Sequence, residues 1–204
     1  DDKMENTTVN WVLDNTELGK TIAGPAADFI NAHYSEDNKA EVCVIGYPQT
    51  PILLERENGI LEGLKGAEGK YEVVANIEGL EANDAQTNVE TVLQAHPDCK
   101  VFVTVSAGGD IGANQALLTK YNNNIPEDCG IFSPDATEQQ MRAIKSGKEA
   151  SNTTVGFEGS NSRTATACVE LYDKVLSGET FENDDHNIYR PFVVINAENV
   201  DEYL

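Results

Sequence analysis

EVCVIG at Glu41–Gly46, YEVVANI at Tyr71–Ile77, KVFVTVS at Lys100–Ser106 and GIFS at Gly130–Ser133 are short apolar runs spaced along the chain. An amphipathic stretch with helical periodicity follows each of the first three before the next run begins. Runs that stay apolar through both parities read as strands buried on both faces. Their alternation with helices reads as a parallel sheet covered on both sides. The expected fold class is therefore α/β, a doubly wound parallel sheet of the Rossmann-like or flavodoxin-like kind. Ligands of such sheets sit outside the carboxyl ends of the strands. Function is thus to be sought just after Gly46, Ile77, Ser106 and Ser133.

Outward from this block, Val9–Leu13 (VNWVL) is a short apolar run able to enter the sheet. Asp14 or Asn15 caps the next helix, whose apolar face carries Leu18, Ile22, Ala26 and Ile30. Pro25 predicts a kink in it or a late start. Further helices are expected over Ile52–Leu64, Asp84–Ala95, Ile111–Tyr121, Thr137–Ser146 and Thr164–Leu176, with Gly147 and Gly178 as stop signals. Thr153–Phe157 reads as another strand. Phe181–Asn187 reads as an acidic connector. Tyr189–Asn196 reads as a last strand that Pro191 confines to an edge or entry position.

The balance of 35 acidic against 14 basic residues leaves a net charge of −21. Such a chain repels nucleic acid and anionic membrane, whose phosphates need clustered Lys and Arg. Neutral or cationic small molecules remain as ligands. The opening Asp1–Asn6 is acidic and polar and does not read as a signal peptide, which leaves a mature, trimmed or cytoplasmic chain. Of the four cysteines, Cys43 falls inside a strand run and reads as a buried thiol. Cys99 and Cys129 each stand just before a strand, at matching ends, and are candidates for a disulfide; that bridge would imply an oxidising compartment. The spacings match no zinc motif, and no metal or cofactor is expected.

Catalytic signatures are absent from the sequence: there is no HExxH, GxSxG or Walker loop, and His33, His96 and His186 are far apart. Ser106-Ala107-Gly108-Gly109 lacks the GxGxxG order and reads as a strand-to-helix turn. Asp184-Asp185-His186 reads as a solvated run. The weight therefore falls on a binding protein and not an enzyme. Arg56 starts the helix after the first strand run, near the carboxyl edge. Its guanidinium suits forked contacts to ligand oxygens, or else an ion pair with Glu55, Glu57 or Asp135. Asp135 ends the last run of the sheet. Its carboxylate suits two vicinal hydroxyls, or else the cap of the helix over Thr137–Ser146.

These residues, taken in order, resemble the sugar-type (type 1) periplasmic binding proteins. Val12-Leu13-Asp14-Asn15 with Gly19 and Ala23 is similar to the segment after their first hinge crossing. Arg56-Glu57-Asn58-Gly59 looks like their RxxG signature. Ala95-His96-Pro97-Asp98, followed by Ile111-Gly112-Ala113-Asn114-Gln115-Ala116-Leu117, resembles their HPD and GAxxAL stretches. Ser133-Pro134-Asp135 stands where they carry Gly-aromatic-Asp. Lys145-Ser146-Gly147 and Asp173–Gly178 match their later helices.

The resemblance implies a ribose- or galactose-binding-like solute receptor of an ABC importer, periplasmic or extracellular and membrane-anchored. Its partners would be a sugar or similar polar solute and a membrane permease, with no nucleic acid. Carried over, Arg56 and Asp135 become ligand contacts. Ser106 replaces a usual Asn and Ala107 a usual Asp, so Asp110 is the candidate to compensate. Leu80 falls near a position that is often aromatic and stacks on the sugar. In that family a whole lobe precedes the Asp14-Asn15 segment. The chain would then hold the second lobe over 1–135, a late part of the first lobe over 136–187, and a return strand and tail over 188–204. The helix at Thr164–Leu176 would expose an apolar face, rearrange, or associate with another chain. The alternative from another class is the effector-sensing core of a lactose-repressor-type regulator or a signalling sensor.

Overall fold

The computed structural model describes residues 9–157, 161–181, 187–189 and 191–204. Asp1–Asn6, Asp184-Asp185-His186 and most of the acidic connector lie outside them. The strands are β1 (Asn10–Val12), β2 (Ala40–Gly46), β3 (Tyr71–Glu78), β4 (Val101–Thr104), β5 (Gly130–Pro134), β6 (Ser151–Phe157), β7 (Asn187–Tyr189) and β8 (Phe192–Ile195). The α-helices are α1 (Asn15–His33), α2 (Pro51–Gly63), α3 (Ala82–Ala95), α4 (Ala107–Lys120), α5 (Glu138–Ser146) and α6 (Asn161–Leu176).

These elements divide between two compact units. The larger comprises Asn15–Gly156 with Val194–Leu204, and the smaller Asp1–Asp14 with Phe157–Val193. The larger unit holds a sheet of order β3-β2-β4-β5-β6-β8. Every registered pair from β3 to β6 is parallel. The chain moves outward from β2 to β3, then crosses back to β4 and continues the other way. That reversal makes the carboxyl ends of β2 and β4 the topological switch point of a doubly wound sheet.

Alternation along the strands supplies both covering layers. Cys43, Ile45, Phe102 and Ile131 join Val89 and Val92 of α3 and Ala113, Ala116 and Leu117 of α4 in one core. Phe132, next in sequence to Ile131, meets Phe29 of α1 at 5.5 Å between ring centroids. Both faces of β2, β4 and β5 are thereby buried, as their apolar runs require. β3 is an edge strand, and its exposed Glu72, Asn76 and Glu78 suit that position.

The structure departs from the sequence expectations in four places. α1 runs unbroken through Pro25, because Leu18, Ile22, Ala23, Ala26, Ala27 and Ile30 are buried along one face and outweigh one lost backbone hydrogen bond. The 9–13 run does not enter the main sheet: β1 pairs in parallel with β7 in a two-stranded sheet of the smaller unit. The expected last strand is split at Pro191, which lacks the N–H a continuous ladder needs, into β7 and β8. The expected boundary at 135/136 also shifts. α5 and β6 fall in the larger unit, since β6 hydrogen-bonds β5 and α5 connects them. In the smaller unit α6 exposes Val169, Tyr172 and Leu176.

Candidate functional site

Arg56 stands at the switch point. Its Nη1 donates to the Val105 carbonyl just beyond β4 at 2.6 Å, while Nη2 and Nε donate to Asn15 Oδ1 at 2.8 and 3.3 Å. The side chain is only 7% exposed. Burial pulls its guanidinium below its ordinary value and the nearby Asp135 carboxylate works against that shift. Arginine stays charged throughout. None of the ion pairs among the described residues involves Arg56, so the alternative of an ion pair with Glu55, Glu57 or Asp135 is not formed. Glu57 instead accepts from Asn76 Nδ2 at 2.6 Å.

The helix crossing beneath Arg56 explains the spacing of its motif. A methyl on Gly59 would lie 2.1 Å from the Thr16 carbonyl oxygen, and one on Gly19 2.1 Å from the Arg56 carbonyl oxygen. α1 and α2 therefore touch backbone to backbone, which only glycine permits. The same crossing brings Asn15, the first residue of α1, under the guanidinium. The two sequence motifs 41 residues apart are thus halves of one hydrogen-bonded joint.

Asp135 follows β5 and is exposed. Its Oδ2 accepts from the Ala107 backbone N–H at 2.8 Å, on the first turn of α4. A carboxylate there is favoured by the unpaired N–H groups and the helix dipole. It therefore caps α4. The helix after it is closed by Thr137 and Gln140 in a reciprocal capping box, which takes the role the sequence left open for Asp135. Asp135 and Ala136 both adopt left-handed backbone conformations, with φ of 88° and 46°. Such angles are uncommon for non-glycine residues and favour a functional reading of the turn.

Ser106 and Asp110, expected as ligand contacts, are committed to the fold. Ser106 is the N-cap of α4: its Oγ accepts from Gly109 N at 3.0 Å and reaches the Gly79 and Leu80 carbonyls at 3.4 and 3.3 Å. Asp110 is 1% exposed. Its carboxylate accepts from Ser133 Oγ and Ser151 Oγ, both at 2.6 Å, and from Gln140 Nε2 at 3.1 Å. Burial raises its carboxyl above the ordinary value, and these three donors counteract the shift.

Leu80 is half-buried in the wall of a cavity of about 460 Å³ beyond the ends of β2 and β3, shared with Tyr47, Glu78, Glu81, Asp84 and Thr87. Cys99 and Cys129 are not bridged: they and Cys43, the last as its place in a strand run predicts, are buried free thiols in one core cluster. Val101 pairs with Gly130, which sets Cys129 level with Lys100 rather than Cys99. Burial pushes the Cys43 and Cys129 thiols up to about 12 and raises Cys99 as well, which leaves all three unreactive. Asn15 and Gln140 hold Arg56 and the Asp135 turn in place, and the sequence does not mark either as a site residue. Their signal was present, as a polar residue on each helix's buried face, but polar core residues are not distinguishable from caps without the fold.

A family model described as "Periplasmic binding protein domain" matches residues 2–180. The ABC transporter periplasmic-binding protein YphF of Escherichia coli (strain K12) is 25% identical over 186 residues, which is 82% of this chain and 55% of that protein. Among solved structures, the arabinose binding protein AraP of Geobacillus stearothermophilus superposes with a TM-score of 0.78 at 20% identity, over 98% of this chain and 66% of its own. A periplasmic solute binding protein of an ABC transporter from Actinobacillus succinogenes 130z, with bound D-allose, gives 0.78 at 19% identity, over 96% and 63%. The Caulobacter myo-inositol binding protein gives 0.75 at 21%, over 96% and 62%. The chain thus spans about half the length of the Escherichia coli relative and under two thirds of the last two structures.

Proposed function

The chain belongs to the periplasmic binding protein family, and from that premise we propose that it is part of an extracytoplasmic receptor of an ABC importer that binds a sugar or similar small polar solute. The observation that carries this is that Arg56 and Asp135, opposite in charge, are anchored two residues apart on the segment that leaves β4, Arg56 on the Val105 carbonyl and Asp135 on the Ala107 N–H. A polyol suits such a pair: its hydroxyls donate to the carboxylate and accept from guanidinium donors not used by Asn15 and Val105. An anionic ligand suits it less, because Asp135 already occupies the amino end of α4. Leu80 offers an apolar surface for the faces of a sugar ring.

In this reading the larger unit is the second lobe. The smaller unit, with β1, α6 and β7, is the late part of the first lobe, whose exposed apolar helix face packs within that lobe or against a second chain. The partner downstream is the membrane permease, and the protein delivers its ligand without chemical change. Transporter receptors among the relatives favour this over the effector-sensing core of a regulator. Among the described residues no helix is long and apolar enough to cross a membrane.

The test is a calorimetric titration of the full-length protein with D-ribose, L-arabinose, D-allose and myo-inositol, in wild type and Asp135→Ala. The expected result is binding of at least one sugar and a loss of about 2 kcal/mol in the variant, as for a charged hydrogen-bond partner. Equal affinity in the two proteins rejects Asp135 as a contact. Turnover of a bound sugar rejects a receptor.

A further inference from the structure

We infer that Gln140 is the positioning residue for Asp135, clamping both ends of the left-handed turn that presents its carboxylate. The inference rests on the site proposed above and adds the residue that keeps it in shape. The turn consists of two non-glycine residues, Asp135 and Ala136, in left-handed conformations. Each is held against a cost of about 1–2 kcal/mol, so the surroundings must enforce both.

Gln140 is 1% exposed and spans the turn with one amide. Its Nε2 donates to the Pro134 carbonyl at 2.9 Å, on the entering side. Its Oε1 accepts from the Thr137 N–H at 2.9 Å and the Thr137 hydroxyl at 2.8 Å, on the leaving side. Between these anchors the Asp135 N–H donates to the Val155 carbonyl at 2.9 Å and the Ala136 N–H to Thr154 Oγ1 at 3.1 Å. The Thr154 hydroxyl also donates to the Pro134 carbonyl, at 3.0 Å, but Gln140 is the side chain that ties Pro134 to Thr137 across the whole turn.

An amide can be turned end for end, and the clamp works in only one orientation. Its backbone partners set it: the Pro134 carbonyl only accepts and the Thr137 N–H only donates, so the NH2 end of Gln140 faces Pro134 and its oxygen faces Thr137. The NH2 end also lies 3.1 Å from Asp110 Oδ2 and 2.9 Å from Ser133 Oγ, which ties the clamp to that buried cluster. The consequence for binding is that Asp135 Oδ2 stays on the Ala107 N–H, with its ligand-facing direction already chosen before a solute arrives.

The test uses Gln140→Ala, Asp135→Ala and the double variant of the full-length protein. Amide exchange by NMR needs no ligand. Gln140→Ala should speed exchange at the Ala107 and Ala136 amides by about tenfold, the worth of a typical hydrogen bond, while Val103 in β4 keeps its wild-type rate. Affinity for whichever of D-ribose, L-arabinose, D-allose or myo-inositol binds wild type should fall in Gln140→Ala but not fall further when Asp135 is already Ala. Unchanged exchange at Ala107, or equal acceleration at Val103, overturns the clamp. So does a Gln140→Ala affinity loss of the same size with and without Asp135. If Asp135→Ala alone leaves sugar affinity unchanged, the proposed site fails, and the exchange rates still decide whether Gln140 holds the turn.

Discussion

Arg56→Ala should damage the fold before it damages any binding site. The guanidinium is buried and donates to two acceptors, Asn15 Oδ1 and the Val105 carbonyl. Removal leaves both acceptors without this donor, in a place where a methyl group cannot replace it. Two orphaned buried acceptors at about 1–3 kcal/mol each put the loss at roughly 4 kcal/mol. Arg56→Lys keeps one donor site and should lose about half of that, since an ammonium cannot fork between two elements. Urea denaturation followed by far-ultraviolet circular dichroism measures both. With a slope of about 2 kcal/mol per molar, the alanine midpoint should fall by roughly 2 M. A loss below about 1 kcal/mol for Arg56→Ala would refute the claim that the guanidinium joins α1, α2 and the end of β4. Any binding measurement on this variant must first show that it is folded.

Other expectations follow from the same geometry. Gly59→Ala drives a methyl into the Thr16 carbonyl, at 2.1 Å, and should lower stability by about 3 kcal/mol or more as α1 and α2 are forced apart; a midpoint shift near zero in the same denaturation assay would refute the backbone contact. Ala136→Gly relieves a left-handed alanine and should leave stability unchanged or higher, in contrast to the loss of about 0.5–1 kcal/mol for Ala→Gly in a helix; thermal melting checks the sign. Because burial raises the Asp110 carboxyl, the folded chain holds that proton more tightly than the unfolded chain. Its contribution to stability is full below the ordinary aspartate value and is lost as pH rises through the raised one. The stability of wild type relative to Asp110→Asn should therefore decline as pH rises from about 4 toward neutrality, and a difference flat in pH would reject a raised Asp110.

The strand–helix order, the parallel sheet and the search zone at its carboxyl edge were all legible in the sequence. Burial on both faces keeps β2, β4 and β5 apolar at most positions, Glu41, Thr104 and Ser133 aside, and this is a local signal that one sequence displays. Arg56 and Asp135 were legible as candidates for a related reason: each lies within a residue-type pattern close to the end of such a run. Tertiary structure decided what each polar side chain touches. Ser106 and Asp110 sit in the same loop-to-helix segment, yet one caps α4 and the other is sealed beneath β5, β6 and α5. Asn15 reaches Arg56 because two glycines let α1 and α2 meet, and Gln140 reaches Pro134 because α5 folds back over β5. Hydrogen bonds act over about 3 Å, so partners 41 residues apart become partners only when packing delivers them. Hydrophobic burial is summed over whole faces and leaves its period in the chain; directional polar contacts are made atom by atom and leave none.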